Sequence, residues 1–276
     1  MKKVIKIGSI IVALLMIGGV VFFANGLLGN PISKFIVDKN SEAYIEENYG
    51  ELDLTREVGF NFKSTNYFVR VNSETVEDLH FTLYYSMTGK LQRDTYESNI
   101  IEGGNIVYRV NMDYRKDTDI IFEKLKNTPF FSSAETYQTS AYILTKEEFE
   151  NRISATNMNE DATIRPAISG GVDGRTLELD KDYEAGELGK LGGILDVSIR
   201  FTDKDESFER GAEALKEVKK AFDEEDYGFR FIDFCIYNEE GNYAYYIDLI
   251  PYDEIEGDDL AQRLEHIYEN TPKVEK

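Results

Sequence analysis

Leu79-His80-Phe81-Thr82-Leu83-Tyr84-Tyr85 alternates, with Leu79, Phe81, Leu83 and Tyr85 on one side of the chain and His80, Thr82 and Tyr84 on the other. A period of two marks a strand with one buried face. Upstream, Val58-Gly59-Phe60-Asn61-Phe62 repeats the pattern, and a polar Lys63-Ser64-Thr65-Asn66 turn leads into Tyr67-Phe68-Val69-Arg70-Val71. Downstream, Ser86-Met87-Thr88-Gly89 turns the chain into residues 90–96. Four such strands joined by short connections form an antiparallel meander.

A helix precedes this meander. Asn30 suits an N-cap and Pro31 the first helical position, where its missing N–H costs nothing. Ile32, Phe35, Ile36, Ala43 and Tyr44 then recur near helical spacing, and Gly50 is a fitting stop. After the meander, residues 105–125 return to helical spacing through Ile106, Val107, Val110, Tyr114, Ile120, Ile121 and Leu125, with room for a break near Asp117. Thr128-Pro129 suggests a domain boundary.

The second half is less regular. Residues 142–144 read as a short strand, 146–153 as a short helix and 169–174 as a loop, while Gly186-Glu187-Leu188-Gly189-Lys190-Leu191-Gly192-Gly193 reads as a flexible link. Residues 194–201 form an apolar strand. Residues 205–223 form an amphipathic helix on Phe208, Ala212, Leu215, Val218 and Phe222. Residues 229–237 and 243–250 are strand-length runs separated by a hairpin-length gap, and residues 258–268 make a last helix. The order strand, helix, strand, strand, helix is most of a ferredoxin-like plait, with another strand to be lent by residues 131–190. The fold class is therefore α+β. Its parts are an anchor at 1–30, a helix plus four-strand meander at 31–129 and a second helix-plus-antiparallel-sheet domain at 130–276.

The N-terminus bears on location. Lys2, Lys3 and Lys6 precede 27 residues, 7–33, without a charged side chain. About 20 helical residues cross a hydrocarbon core, so residues 7–28 are long enough to span one. A cleaved secretory signal is the rival reading, but its apolar stretch is shorter and Phe22-Phe23-Ala24 fits a cleavage site poorly. A lipoprotein signal needs a cysteine near that point, and the one cysteine is Cys235. Lysine-rich flanks stay in the cytoplasm, which puts residues 30–276 outside the cell membrane.

That exported part carries 28 bases against 52 acids, a net charge of −24. Such a surface repels nucleic acid phosphates and anionic lipid headgroups, so nucleic acid is not an expected partner. A 42% apolar fraction excludes wholesale disorder, and one cysteine excludes an intrachain disulfide.

Catalytic patterns are missing. His80 and His266 lie far apart in sequence, unlike the paired histidines of a zinc hydrolase. Ser169-Gly170 lacks the rest of a nucleophile elbow. Cys235, inside Phe234-Cys235-Ile236, reads as core filler. The Gly186–Gly193 stretch has the wrong spacing for a phosphate loop. No cofactor is expected. Asp203, Asp205 and Glu206, and then Asp253, Glu256, Asp258 and Asp259, crowd oxygens as a hard cation requires, without matching a calcium loop. The latter four are weak cation candidates, with Asp258 also suited to capping the last helix. Tyr84, Tyr85, Tyr237, Tyr243, Tyr245 and Tyr246 are amphipathic strand residues that could stack on sugars or pack against a partner.

Gly29-Asn30-Pro31-Ile32-Ser33-Lys34 directly after a lysine-flanked apolar run, followed by Tyr44-Ile45-Glu46-Glu47-Asn48-Tyr49 and the two strand motifs above, resembles the YfjL-like proteins of Gram-positive bacteria over roughly residues 1–115. The helix-then-meander order, with Thr88-Gly89-Lys90 at a hairpin, is also similar in pattern to exported PepSY-like and cystatin-like modules. The resemblance implies an anchored, exported protein with two α+β domains, and supplies no active-site residues. The expected function is thus that of a non-catalytic, single-pass membrane protein binding an envelope protein or other envelope component. An exported hydrolase acting on envelope glycan through two carboxylates is the alternative. A protease regulator is a third reading, by analogy with PepSY-like modules.

Overall fold

The computed structural model describes residues 15–20, 23, 25–155 and 169–270, and the chain divides into two compact units, residues 1–105 and 106–276. Among the described residues one helix, Leu15–Tyr49, is long and apolar enough to cross a membrane, with only 7% of its most apolar window buried. Leu15, Met16, Ile17, Val20, Phe23, Leu27 and Leu28 are all exposed. A helix of the protein core would hide them. Lys2, Lys3 and Lys6 lie outside the described residues.

The helix is interrupted at Gly29–Asn30, and Gly29 has a left-handed φ of +81°. A Cβ there would meet the Tyr67 hydroxyl at 2.7 Å and the Phe60 ring at 2.8 Å, so both backbone angle and space demand glycine. Asn30 then caps the next helix, its Oδ1 accepting from the Ile32 amide at 2.8 Å. That helix, α1 (Pro31–Tyr49), packs over a sheet of β1 (Leu54–Asn61), β2 (Asn66–Ser73), β3 (His80–Tyr85) and β4 (Leu91–Asp94). The strands lie in sequence order and are all antiparallel, as the alternation predicts. Val37 meets Tyr67, Val69, Val71, Phe81, Leu83 and Tyr85 in the core of this unit. The far end of α1 is tied down by the Tyr44 and Tyr49 hydroxyls, which donate to the Asp94 carboxylate at 3.0 and 2.6 Å.

The next helix, α2 (Gly104–Lys126), runs through Asp117 unbroken. It does not complete the first domain. From Ile106 onward its apolar side chains, including Val110, Tyr114, Phe122 and Leu125, enter the core of the second sheet, and the division falls at 105/106 rather than after residue 129. The second unit continues with β5 (Ala134–Ile143), α3 (Lys146–Ala155), α4 (Ala185–Gly192), β6 (Gly193–Phe201), α5 (Phe208–Glu224), β7 (Phe231–Tyr237), β8 (Tyr243–Pro251) and α6 (Leu260–Asn270). Part of the poorly legible stretch, residues 156–168, lies outside the described residues.

The sheet order is β5-β6-β7-β8. Its element order is the expected one, with β5 as the added strand. The pairing differs: α5 joins β6 to β7, and these two are parallel and directly adjacent. The sheet is therefore mixed, and its βαβ unit is not split by an inserted strand as in a ferredoxin-like plait. The inner face buries Leu195, Val197, Ile199, Ile232, Phe234, Ile236 and Ile247 with side chains of α2, α5 and α6.

The glycine-rich stretch before β6 is helical, contrary to the flexible link read from composition. Its glycines serve close approach. A Cβ on Gly189 would lie 2.3 Å from the Gly228 carbonyl oxygen and 2.5 Å from the Tyr114 ring. Gly189→Ala should cost about 2 kcal/mol of stability through overpacking. Urea unfolding checks this, and an unchanged midpoint would contradict it.

Candidate functional site

The second sheet has an outer face covered over only part of its length. At one end Phe149 and Ile153 of α3 pack on Ile194, Phe231 and Leu249, with Tyr142 and Leu144 beside them. The next row up is acidic. Register places Ser140, Asp196 and Asp233 side by side on β5, β6 and β7, and Asp248 follows on β8. Above it lie Gln138, Ser198, Cys235 and Tyr246, and then Tyr237 opposite Tyr243.

Asp233 anchors the arrangement. It is 2% exposed, and its carboxylate forms an ion pair with the Arg152 guanidinium from α3. Its Oδ1 also accepts from the Leu249 amide at 2.8 Å. That amide is available because β7 and β8 shift register between Ile232 and Phe234, and Leu249 stands at a φ of +50°, which is uncommon for leucine. Arg152 reaches across to Tyr142 as well, donating to its hydroxyl at 2.9 Å. Burial pushes the Asp233 carboxyl up to about 6 against the pull of Arg152, and burial also raises Asp196. The Tyr142 hydroxyl is pushed up to about 12 and the Cys235 thiol likewise, burial being the main cause in each. Cys235 is therefore a neutral thiol, in keeping with its reading as filler.

Beyond the reach of α3 the face is aromatic, and among the described residues no helix covers it. Tyr243 and Tyr246 are 58% and 44% exposed. The Tyr237 and Tyr243 rings stack at 5.1 Å, and Tyr246 lies 6.2 Å from Tyr243. A cavity of about 230 Å³ adjoins Tyr237, lined in part by Glu135, Arg200, Lys204 and Glu239. An aromatic cluster beside a row of acceptors suits apolar stacking combined with hydrogen bonding.

Of the six tyrosines singled out from sequence, Tyr237, Tyr243 and Tyr246 come together here. Tyr85 and Tyr245 are buried, and Tyr84 is half-buried on the first sheet. The acidic loop residues are not gathered. Asp253 pairs with Arg230 at 3.2 Å, Glu256 with Lys219 at 3.2 Å and Asp259 with Arg263 at 3.4 Å, while Asp258 stays exposed. Among the described residues no group of three or more histidine, cysteine or carboxylate side chains is placed to hold a metal. His80 and His266 are exposed. The set of buried Asp233 with half-buried Asp196 and Arg152 has no motif; its one trace in the sequence is an aspartate interrupting each of two apolar strand runs.

The fold and site define a class: one helix long and apolar enough to span a membrane, then two small α+β units, the second with a half-open sheet face. The chain belongs to the YfjL-like family. The family model for the YfjL-like N-terminal domain matches residues 1–105, and that for the YfjL-like C-terminal domain matches residues 136–265. The resemblance carried by the first 115 residues thus extends through the second unit. No curated protein and no solved structure matches the chain.

Arg152→Ala should destabilise the fold by about 3 kcal/mol at neutral pH, because it strands a buried carboxylate. The sign of the pH dependence follows from Asp233. Its folded-state pKa already exceeds the ordinary 3.8, and losing Arg152 raises it further. An acid raised on folding loses stability as pH climbs from the unfolded to the folded value, so the cost should shrink towards about pH 4. Urea unfolding of the variant at both pH values checks this; equal cost at both would contradict it.

Proposed function

We propose that this is a single-pass, membrane-anchored protein whose two α+β units stand outside the cytoplasm, and that the open tyrosine-bearing face of its second sheet binds a cell-envelope protein or glycan without catalysis. The observation that carries the reading is the Tyr237–Tyr243–Tyr246 cluster, with Tyr243 and Tyr246 exposed and Tyr237 half-buried, which no helix covers among the described residues. Exposed aromatics grouped on one sheet face are characteristic of recognition surfaces. The lysine-flanked apolar N-terminus supports the location.

The alternative, an envelope hydrolase using two carboxylates, draws on the raised pKa values of Asp233 and Asp196. Its weakness is access. Asp233 is closed off and both its oxygens are engaged by Arg152 and Leu249.

Two measurements test the reading. A C-terminal tag should be digested by protease added to cells whose outer layers have been removed. A photo-crosslinking residue at position 243 or 246 should capture an envelope component that the same residue at Leu179, exposed away from the cluster, does not. With the crosslinker at 246, Tyr243→Ala should abolish that capture while leaving the protein folded, as should Tyr246→Ala with the crosslinker at 243. A protected tag would overturn the location, and equal capture at all three positions would overturn the binding face. Turnover of a cell-wall fragment, lost in Asp233→Asn, would favour the hydrolase.

A further inference from the structure

The first unit is polarised in charge. Among 52 acids in the chain, none falls within residues 1–37, 58–69 or 79–93. These segments are neighbours in space. The Tyr67 hydroxyl donates to the Asn30 carbonyl at 2.8 Å, and the Asn40 amide donates to the Gly89 carbonyl at 2.7 Å. The β1–β2 turn at 62–65 therefore lies at the end of the unit where the apolar helix enters; the β3–β4 turn at 86–90 is at the same end of the sheet, since Tyr85 pairs with Tyr67, and packs further along α1 against Ile36 and Asn40. Lys34, Lys63 and Lys90 are exposed there. The acids of the α1–β1 connection, Glu51 and Asp53, and of the β2–β3 connection, Glu74 and Glu77, lie at the opposite end.

The same end is apolar. Ile32 and Phe35 on the first turns of α1, Phe62 at one turn and Met87 at the other are all exposed, by 71%, 63%, 54% and 41%. Depth can be read from the packing. The pair Phe60–Tyr67 sits against Gly29, and β1 runs antiparallel to α1, since Arg56 further up the strand pairs with Asp38 at 3.3 Å. At about 3.3 Å per strand residue the turn reaches roughly 3–7 Å past Gly29. At 1.5 Å per helical residue that is the level of about Asn25 to Leu27, the last turn of the apolar helix.

We infer that this end of the first unit docks on the bilayer that holds the helix, with Phe62, Met87, Ile32 and Phe35 in the interfacial layer and Lys34, Lys63 and Lys90 on anionic headgroups. The acidity of the whole chain predicts repulsion from such lipids, and this rim is the exception to it. Continuity with the spanning helix brings the rim to the surface, and lysine stems beside apolar side chains suit the interface. The inference rests on the anchored reading above.

The chain has no tryptophan, so a single introduced one reports alone. The full-length protein is reconstituted in vesicles of phosphatidylglycerol mixed with phosphatidylcholine brominated on its acyl chains. Three variants are compared: Met16→Trp in the span, Phe62→Trp at the rim and Thr75→Trp at the opposite end. Docking predicts strong quenching at 16, quenching at 62 at least about twofold above that at 75, and a fall at 62 when Lys63→Glu and Lys90→Glu are added. Quenching at 16 with 62 no different from 75 would overturn docking and leave the anchor standing. No quenching at 16 would overturn both.

Discussion

The ion pair between Arg152 and Asp233 decides what the second sheet can offer. It fastens α3 across the lower rows of the outer face, where Phe149 and Ile153 find apolar partners. A ten-residue helix rises about 15 Å, whereas strands of nine or ten residues extend about 30 Å. One such helix cannot cover the whole face. The rows it leaves are those of Tyr237, Tyr243 and Tyr246, whose rings tolerate water on one side and a partner on the other.

The cost of that fastening is met locally. A buried carboxylate is expensive unless it is paired and hydrogen-bonded. Here a guanidinium supplies the charge and a β-bulge supplies an amide, at the expense of a leucine in the left-handed region. Ion pair, bulge and backbone angle thus form one device, and none has a reason to exist without the others. The cavity by Tyr237 and the cluster of Tyr237, Tyr243 and Tyr246 lie above it, on other rows of the same surface.

The first unit solves a different problem. Its sheet is covered by one helix, and that helix follows directly on an apolar segment that water cannot solvate cheaply. Gly29 permits the break in direction, and Tyr67 closes it with a hydrogen bond to Asn30. The aromatic contacts of Tyr49, Phe81 and Tyr96 hold the other end of α1. Polar and apolar ends are thereby separated along one axis.

Sequence alone determined what depends on local periodicity. The meander was legible because Leu79, Phe81, Leu83 and Tyr85 bury one face and expose the other, and α5 because its apolar residues recur every three or four positions; α1 was legible from its caps alone, since the stripe of Ile32, Phe35, Ile36 and Ala43 read from spacing is exposed and the helix buries Val37 and Ser41 instead. The charge-free N-terminal stretch was legible for the same reason, composition and length being enough. Only the tertiary structure decided matters that depend on who lies next to whom. The glycines of α4 read as a loop because close packing against Gly228 and Tyr114 has no local signature. The outer end of β5 was missed because its residues are largely polar, and the assignment of α2 to the second unit depended on which sheet its apolar stripe met. Asp196 and Asp233 became neighbours through a parallel pairing across a helical crossover, which no local pattern encodes. Pattern specifies an element and the face it will bury, but burial of a particular side chain requires the long-range contact that covers it.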